Sequence, residues 1–273
     1  MPIDPAALEA LRLLLDIAGP DRVVVIGASV PIVLIDQRYG LAVGRTTRDV
    51  DVVVRATSWE EYEDLKGRLL AAGFRQARVP HRLEYGPAEL DLIPYSRTLA
   101  PGDALEWPGQ DRVMSTRGFE EAFESARPEQ VGDLVVPMAS VAACVLLKFV
   151  SYNDRRAERV RDLIDIVHCF ELYGSEPDPR RYEIGEPEVD GTPVSYDEAG
   201  AYLLGQEVAA LARRGSLAPV RAVLASIDDE YAWPIQQILA EERRVVDNDT
   251  RRLELYRLFR VFSSRLQGFK APS

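Results

Sequence analysis

The pattern of apolar and polar positions changes character once along the chain. In the first half short apolar runs alternate with helical stretches. Arg22–Ile26 (RVVVI) is a continuous apolar run stopped by Gly27, the pattern of a strand buried on both faces. Ser29 and Pro31 then open a predicted helix to about Tyr39, proline being tolerated in a first turn where its missing N–H costs nothing, and Gly40 ends it. Asp49–Val54 (DVDVVV) predicts a second strand. Ser58 and Glu61 have capping-box spacing for a helix that Gly73 stops. Phe74–Val79, Arg82–Tyr85 and Glu89–Ile93 predict three more strands, and the stretch before Arg22 predicts an opening helix. Residues 95–137, rich in Pro and Gly, show no clear period. From Ala139 the period is helical, over 139–152, 155–173, 196–214, 216–228, 234–245 and 250–266. The acidic stretch 174–195 predicts a surface excursion or short hairpin. The expected fold is therefore α/β (α+β), a mixed β-sheet with flanking helices in residues 1–135 followed by an α-helical module in 136–273.

Composition narrows the classes. The chain has 273 residues, 47% hydrophobic and 28% charged, as expected of a soluble globular protein. No apolar run approaches the roughly 20 residues that cross a bilayer. Asp4, Glu9 and Asp16 leave the N-terminus without a basic leader, so a cytoplasmic location without membrane partners is expected. Cys144 and Cys169 fall in helical patterns and are expected to be buried thiols. His81 and His168 have no companions at ligand spacing, so any metal would be held by carboxylates, which favours Mg²⁺ or Mn²⁺. The net charge of −11 argues against a protein coated by nucleic acid. From Tyr231 onward, however, eight bases face five acids, and a local basic surface is expected there.

The candidate chemistry sits on the strands. Asp49 and Asp51 are two residues apart on a predicted strand, so both side chains leave one face. Paired acids repel, and a divalent cation relieves them. Asp91, among Leu90, Leu92 and Ile93, repeats the pattern, and three such carboxylates suit one or two Mg²⁺ for in-line phosphoryl chemistry. The bland alternative is a loop-capping Asp49 and a solvent-facing Asp51. Asp247-Asn248-Asp249 has the same spacing without strand or glycine turn, and is expected to cap a helix. Gly27–Ser29 lies where a strand hands over to a helix N-terminus, a place suited to phosphate and equally common as plain packing geometry. Arg45 and Arg48 are candidates for the triphosphate, or solvated loop residues.

Together these residues resemble the DNA polymerase β-like nucleotidyltransferase superfamily, and within it the AbiEii-type toxins. Arg45-Thr46-Thr47-Arg48-Asp49-Val50-Asp51 is similar to that family's R-x-T-x-D-[IV]-D strand, and Leu90-Asp91-Leu92-Ile93-Pro94 to its third acid. Lys148 is similar to its helical lysine, and Arg155 or Arg156 with Arg161-Asp162-Leu163-Ile164-Asp165 to its Arg…[KR]-D-x-x-D pattern. The likeness spans about residues 22–173; the family's Gly-Ser pair is split here as Gly27-Ala28-Ser29. The resemblance implies catalytic Asp49, Asp51, Asp91, Lys148 and Asp162. Asp49, Asp51 and Asp91 would hold the metal, and Gly27, Ser29, Arg45, Arg48, Lys148 and Asp165 the NTP. The helical module would complete the cleft. It further implies an RNA acceptor such as a tRNA end, met by the basic C-terminal helices, and an antitoxin partner. An acidic protein also suits an aminoglycoside acceptor, a protein hydroxyl is a third, and a degenerate, non-catalytic binding module is the alternative of another class. On the helix carrying Asp162 and Asp165, Val160, Leu163, Ile164 and Val167 form one apolar stripe; the acids with Cys169 form a second face, the wall of a cleft or a solvated surface.

Overall fold

The computed structural model describes residues 3–40, 47–109, 113–242 and 248–266. The chain forms two compact units, Met1–Ser140 and Val141–Ser273, each with its own core.

The first unit opens with α1 (Pro5–Ala18). The Asp4 carboxylate accepts the Ala6 N–H at 2.9 Å, Pro5 occupies the first turn and Gly19, at φ 86°, ends the helix. Leu8, Leu11, Leu14 and Leu15 share its buried stripe. There follow β1 (Val23–Ile26), α2 (Ser29–Pro31) with a π-helical continuation Ile32–Gln37, β2 (Asp49–Arg55) and α3 (Trp59–Ala71). Next come β3 (Arg75–Gln76), β4 (Arg82–Tyr85), β5 (Ala88–Tyr95), β6 (Ala104–Glu106), β7 (Val113–Ser115), α4 (Phe119–Ser125), β8 (Arg127–Val131) and β9 (Leu134–Met138). Among the described residues the main sheet has seven strands in the order β3-β4-β5-β2-β1-β9-β8. It is mixed, with β2–β5 and β1–β9 parallel and the other pairs antiparallel, as the sequence pattern led us to expect.

Three local expectations change. The helix expected from Ser29 to Tyr39 is one α-turn that widens into a π-turn before Gly40. The strand expected over Phe74–Val79 is only Arg75–Gln76, because Phe74 turns inward onto the Tyr85 ring, 5.0 Å between centroids. Among the described residues, the stretch 95–137 carries β6, β7, α4, β8 and most of β9. Pro128 and Pro137 stand opposite each other in the β8–β9 ladder, and prolines inside strands hide them from a propensity argument.

Strand alternation divides the sheet into two unlike faces. Val50, Val52, Leu83, Leu90 and Leu92 point one way and are buried. Helix α1 packs against β2, β4 and β5, and Tyr62 of α3 donates to the Leu92 carbonyl at 2.8 Å. The other face is apolar only toward the C-terminal ends of β2 and β5, where α4 sits. Arg55 forks onto Glu120 at 3.2 Å and lies 4.1 Å over Phe123, while Tyr95 meets Phe119 edge-on. The N-terminal ends of the same strands carry carboxylates instead.

The second unit is helical: α5 (Val141–Asp154), α6 (Val160–Leu172), α7 (Arg180–Glu183), α8 (Ala199–Leu211), α9 (Arg214–Leu224), α10 (Trp233–Glu242) and α11 (Asn248–Leu266). The acidic excursion supplies α7 and the hairpin β10 (Glu188–Val189) with β11 (Thr192–Pro193). Phe262 stacks between Phe149 and Phe170, at 5.4 and 4.8 Å, and centres this core. Cys144 and Cys169 are buried thiols. Among the described residues, no helix is long and apolar enough to cross a membrane.

Helix α8 approaches its neighbours through glycines. A Cβ on Gly200 would lie 2.2 Å from the Phe170 carbonyl oxygen and 2.8 Å from that of Tyr173, contacts that backbone cannot yield. Gly200→Ala should therefore destabilise the protein by about 2 kcal/mol in urea denaturation, overpacking outweighing the gain in helix propensity. A neutral or stabilising result would mean that α8 packs less closely.

Candidate functional site

The β2–β5 register sets the site. Asp51 stands beside Asp91 and Asp49 beside Glu89 on parallel strands, so four carboxylates share one face. On the other flank of β5, Arg82 of β4 is the partner of Asp91. Its guanidinium forks onto Asp91, Nε to Oδ1 at 2.7 Å and Nη2 to Oδ2 at 2.9 Å, and its Nη1 bonds Glu89. These hydrogen bonds, Asp91's first, outweigh burial and hold the Arg82 pKa well above the ordinary arginine value.

On the β1 side, Ile26 is the antiparallel partner of Asp51 and the chain turns immediately afterwards at Gly27. Gly27 has φ 71°, and a Cβ there would lie 2.0 Å from Asp51 Oδ2, so both backbone and space demand glycine. Two residues on, Ser29 is fully buried and its Oγ has no hydrogen-bond partner among the described residues. A buried hydroxyl without a partner is costly, and its place at a strand-to-helix turn beside a carboxylate suits a ligand oxygen.

The loop entering β2 is tied to the N-terminus. The Asp4 N–H donates to the Thr47 carbonyl at 3.0 Å, Arg48 Nε pairs with Asp4 Oδ2 at 3.2 Å, and Thr47 Oγ1 donates to the Asp49 carbonyl at 2.8 Å. Asp4, Thr47, Arg48 and Asp49 line an open cavity of about 640 Å³. Arg45 lies outside the described residues.

The fit to a divalent cation is uneven. The β2 carboxylates of Asp49 and Asp51 offer hard oxygen donors from one strand. Asp91, expected as an open third ligand, instead has both oxygens bonded to Arg82. Among the described residues, no group of three or more His, Cys, Asp and Glu side chains converges as a metal cluster. Sequence reasoning missed Arg82, although the two-residue turn Gly86–Pro87 fixes its register against Asp91.

The second unit holds its own charge cluster. Lys148, which the resemblance gives to the NTP, is buried; its Nζ donates to Asp165 at 2.6 Å and to Asp162 at 3.4 Å. Asp162 Oδ2 is buried without a hydrogen-bond partner among the described residues. Burial would push the Lys148 pKa down, but the carboxylates of Asp165 and Asp162 hold it well above the ordinary lysine value. The apolar stripe of α6 is Leu163, Ile166, Val167 and Phe170, with Cys169 also buried, while Val160 and Ile164 are half-exposed.

The arginines of α11, expected as a nucleic-acid contact, are engaged within the unit. Arg251 bonds Glu171 and Glu242, each at 2.6 Å, and Arg252 bonds Asp249. Arg257 bonds Glu198 at 2.8 Å, Arg260 forks onto Asp190, and Arg265 lies over the Tyr202 ring. Asp249 thus sits in the first turn of α11 rather than on a strand, while Asp247 lies outside the described residues.

Fold and site define a two-unit α/β and α-helical protein with an acidic sheet face beside a glycine turn. The chain matches no known family profile and no curated protein. It is similar to two solved structures from Helicobacter pylori. One is a candidate nucleotidyltransferase, 11% identical, with a TM-score of 0.37 over 97% of each chain. The other is JHP933, 12% identical, with a TM-score of 0.36 over 97% of this chain and 95% of that one. Superpositions this loose do not establish a shared fold.

Replacing Lys148 tests the cluster in the second unit. Lys148→Met should cost about 3 kcal/mol at pH 7, because it strands two carboxylates in a largely dry site. Adding Asp162→Asn and Asp165→Asn should recover most of that loss. Because the folded lysine pKa is raised, its stabilising contribution is complete below the unfolded value of about 10.4 and fades only as pH rises through the folded one. Urea denaturation should therefore give the same Lys148→Met penalty at pH 7 and pH 9; a penalty that shrinks by pH 9 would mean an ordinary, weakly paired lysine.

Proposed function

We propose that the chain is a nucleotidyltransferase that moves a nucleoside monophosphate from an NTP to an acceptor hydroxyl, with its chemistry on the acidic face of the first unit. The observation that carries this is the register of Asp49, Asp51 and Asp91 beside the Gly27–Ser29 turn. Backbone N–H groups of the turn and the orphaned Ser29 hydroxyl suit phosphate oxygens. Asp49 and Asp51 are the residues that would hold Mg²⁺ or Mn²⁺. That ion would neutralise triphosphate charge and make the α-phosphorus more electrophilic. Attack by the acceptor hydroxyl forms the new P–O bond, a carboxylate of the face takes its proton, and pyrophosphate departs. Chemistry of this kind is mainly positioning and charge compensation, which a face of fixed strand residues supplies.

For the acceptor, the charge distribution favours a small polycation such as an aminoglycoside over RNA. Arg251, Arg257 and Arg260 of α11 are matched by carboxylates of their own unit, whereas the described residues lining the cavity beside Asp49 include two acids and one arginine. An RNA acceptor, with an antitoxin controlling the enzyme, is the second reading, resting on the likeness of the β2 and β5 motifs to AbiEii-type toxins.

A transfer assay with each of the four α-labelled NTPs and Mg²⁺, offered aminoglycosides, total RNA and total protein, tests both. Label should pass to the aminoglycoside pool, and Asp49→Ala or Asp51→Asn should lower the rate at least about 10²-fold, the scale of losing one electrostatic stabiliser. Label on RNA alone would select the toxin reading. Melting temperature should rise with Mn²⁺ plus NTP by mass action in the wild type but not in Asp51→Asn. No shift with any NTP would favour a non-catalytic binding module.

A further inference from the structure

The turn that enters β2 is fixed on three sides. Thr47 Oγ1 accepts the Asp49 N–H at 3.2 Å and donates to the Asp49 carbonyl at 2.8 Å, closing the backbone around Arg48. The Arg48 carbonyl accepts the Glu89 N–H at 3.0 Å, which joins the turn to β5. The Thr47 carbonyl accepts the Asp4 N–H at 3.0 Å, and the buried Ile3 bridges Thr47, which joins it to the N-terminal segment. From this frame the Arg48 side chain emerges 63% exposed. Its one hydrogen bond among the described residues runs from Nε to Asp4 Oδ2, at 3.2 Å. We propose that Asp4 is a positioning residue, clamping Arg48 by Nε so that the two terminal nitrogens form a ready-made fork for phosphate oxygens of the NTP. This rests on the transferase reading of the first unit and deepens it by naming a residue that acts on the substrate through another.

The guanidinium offers two ways to fork onto an oxyanion, side-on through Nε and one Nη, or end-on through both Nη groups. Arg82 takes Asp91 side-on. In Arg48 the side-on edge is already occupied, because Asp4 holds Nε, and the end-on edge has no partner among the described residues. That edge matches two oxygens of a phosphate. Asp4 can act as a clamp because its own carboxylate is fixed. Oδ1 caps α1 through the Ala6 N–H at 2.9 Å, which turns Oδ2 to Arg48, and the Asp4 side chain is only 17% exposed. An ion pair with so exposed an arginine adds little to stability. What it does is remove in advance the rotamer freedom that a ligand would otherwise have to quench. Asp4, Thr47, Arg48 and Asp49 line the open cavity of about 640 Å³, within the size range of small-molecule sites. The Asp4 carboxylate also repels phosphate, but that repulsion is screened at an exposed site, whereas the ordering of Arg48 is not. Loss of the clamp should therefore weaken binding rather than strengthen it.

Asp4→Asn separates the clamp from the cap, because asparagine caps a helix as well as aspartate does but lacks the charge that holds Arg48. The test is calorimetric titration of the full chain with inorganic tripolyphosphate and Mg²⁺, alongside transfer kinetics over a range of NTP concentrations. Asp4→Asn should weaken tripolyphosphate binding about fivefold, the scale of ordering one long side chain, with the kinetic change falling in KM rather than kcat. Arg48→Met should weaken binding about tenfold or more, as expected for losing a charged hydrogen-bond donor. The double variant should bind no more weakly than Arg48→Met, since the clamp then has nothing to hold. Arg48→Lys should not restore wild-type binding, because an ammonium has no second edge to be clamped. Unchanged or tighter binding in Asp4→Asn, or additive losses in the double variant, would overturn the proposal while leaving the transferase standing. Should circular dichroism show that Asp4→Asn does not fold, wild-type binding by Arg48→Met or Arg48→Lys would overturn it equally. A wild type that binds neither tripolyphosphate nor any NTP would overturn both readings.

Discussion

The parallel pairing of β2 with β5 is the constraint around which the first unit is built. Parallel strands in register place equivalent residues side by side at the ladder spacing, so Asp51 and Asp91 cannot avoid each other. Like charges that close destabilise a fold unless other features compensate. Three features of the unit answer this one problem. Arg82 is delivered by the adjacent hairpin, Gly27 keeps a side chain out of the space Asp51 needs, and α4 covers only the apolar end of the face. What remains is a carboxylate-rich patch on a rigid sheet, built before any ligand arrives. Preorganisation of that kind is what phosphoryl transfer asks of a protein.

The helical unit handles charge in the opposite way. Lys148 and Arg251 are both buried, and each bonds carboxylates of neighbouring helices. Removing one partner from such a cluster costs more than the cluster contributes, so these groups specify which helices pack together more than they add stability. Arg251 links α11 to α6 and α10 through Glu171 and Glu242. Arg257 and Arg260 hold α11 to the hairpin and its flank through Glu198 and Asp190. Among the described residues of the tail, Arg257 and Arg260 thus meet acids of the segment before α8, while Arg251 and Arg252 meet carboxylates of α6, α10 and α11 itself.

How far each feature was legible in the sequence follows from how local its cause is. The valine run of β1, the DVDVVV alternation of β2 and the long helical periods after Ala139 are local, and they form where the pattern puts them. The strands Arg127–Val131 and Leu134–Met138 were invisible because Pro128 and Pro137 defeat propensity, and only pairing with β1 and with each other makes them strands. The Ser58–Glu61 cap forms, Ser58 Oγ accepting the Glu61 N–H at 3.2 Å, but the Glu61 carboxylate reaches back to Thr57 rather than Ser58. Burial of Lys148 could not be read either. A lysine between apolar residues is ordinarily expected to reach solvent, and its partners lie one helix further on.

Arg82 is the instructive omission, because its signal was present in local sequence. Two strands joined by a two-residue turn pair antiparallel with a fixed register, so a turn at Gly86–Pro87 puts Tyr85 opposite Ala88 and, counting outward, Arg82 opposite Asp91. Reading acids strand by strand finds the carboxylates but treats each as available. Pairing the strands first shows which carboxylate already has a counter-charge built opposite it. For any sheet-borne acidic site the second question decides how many ligands a cation can use, and it needs only the turn position to be asked. The same count explains why the spacing shared by Asp49–Asp51 and Asp247–Asp249 means different things. On a strand the two acids stand beside a neighbour's residues and acquire partners through register. At the start of α11 Asp249 pairs along its own helix, with Arg252 three residues on.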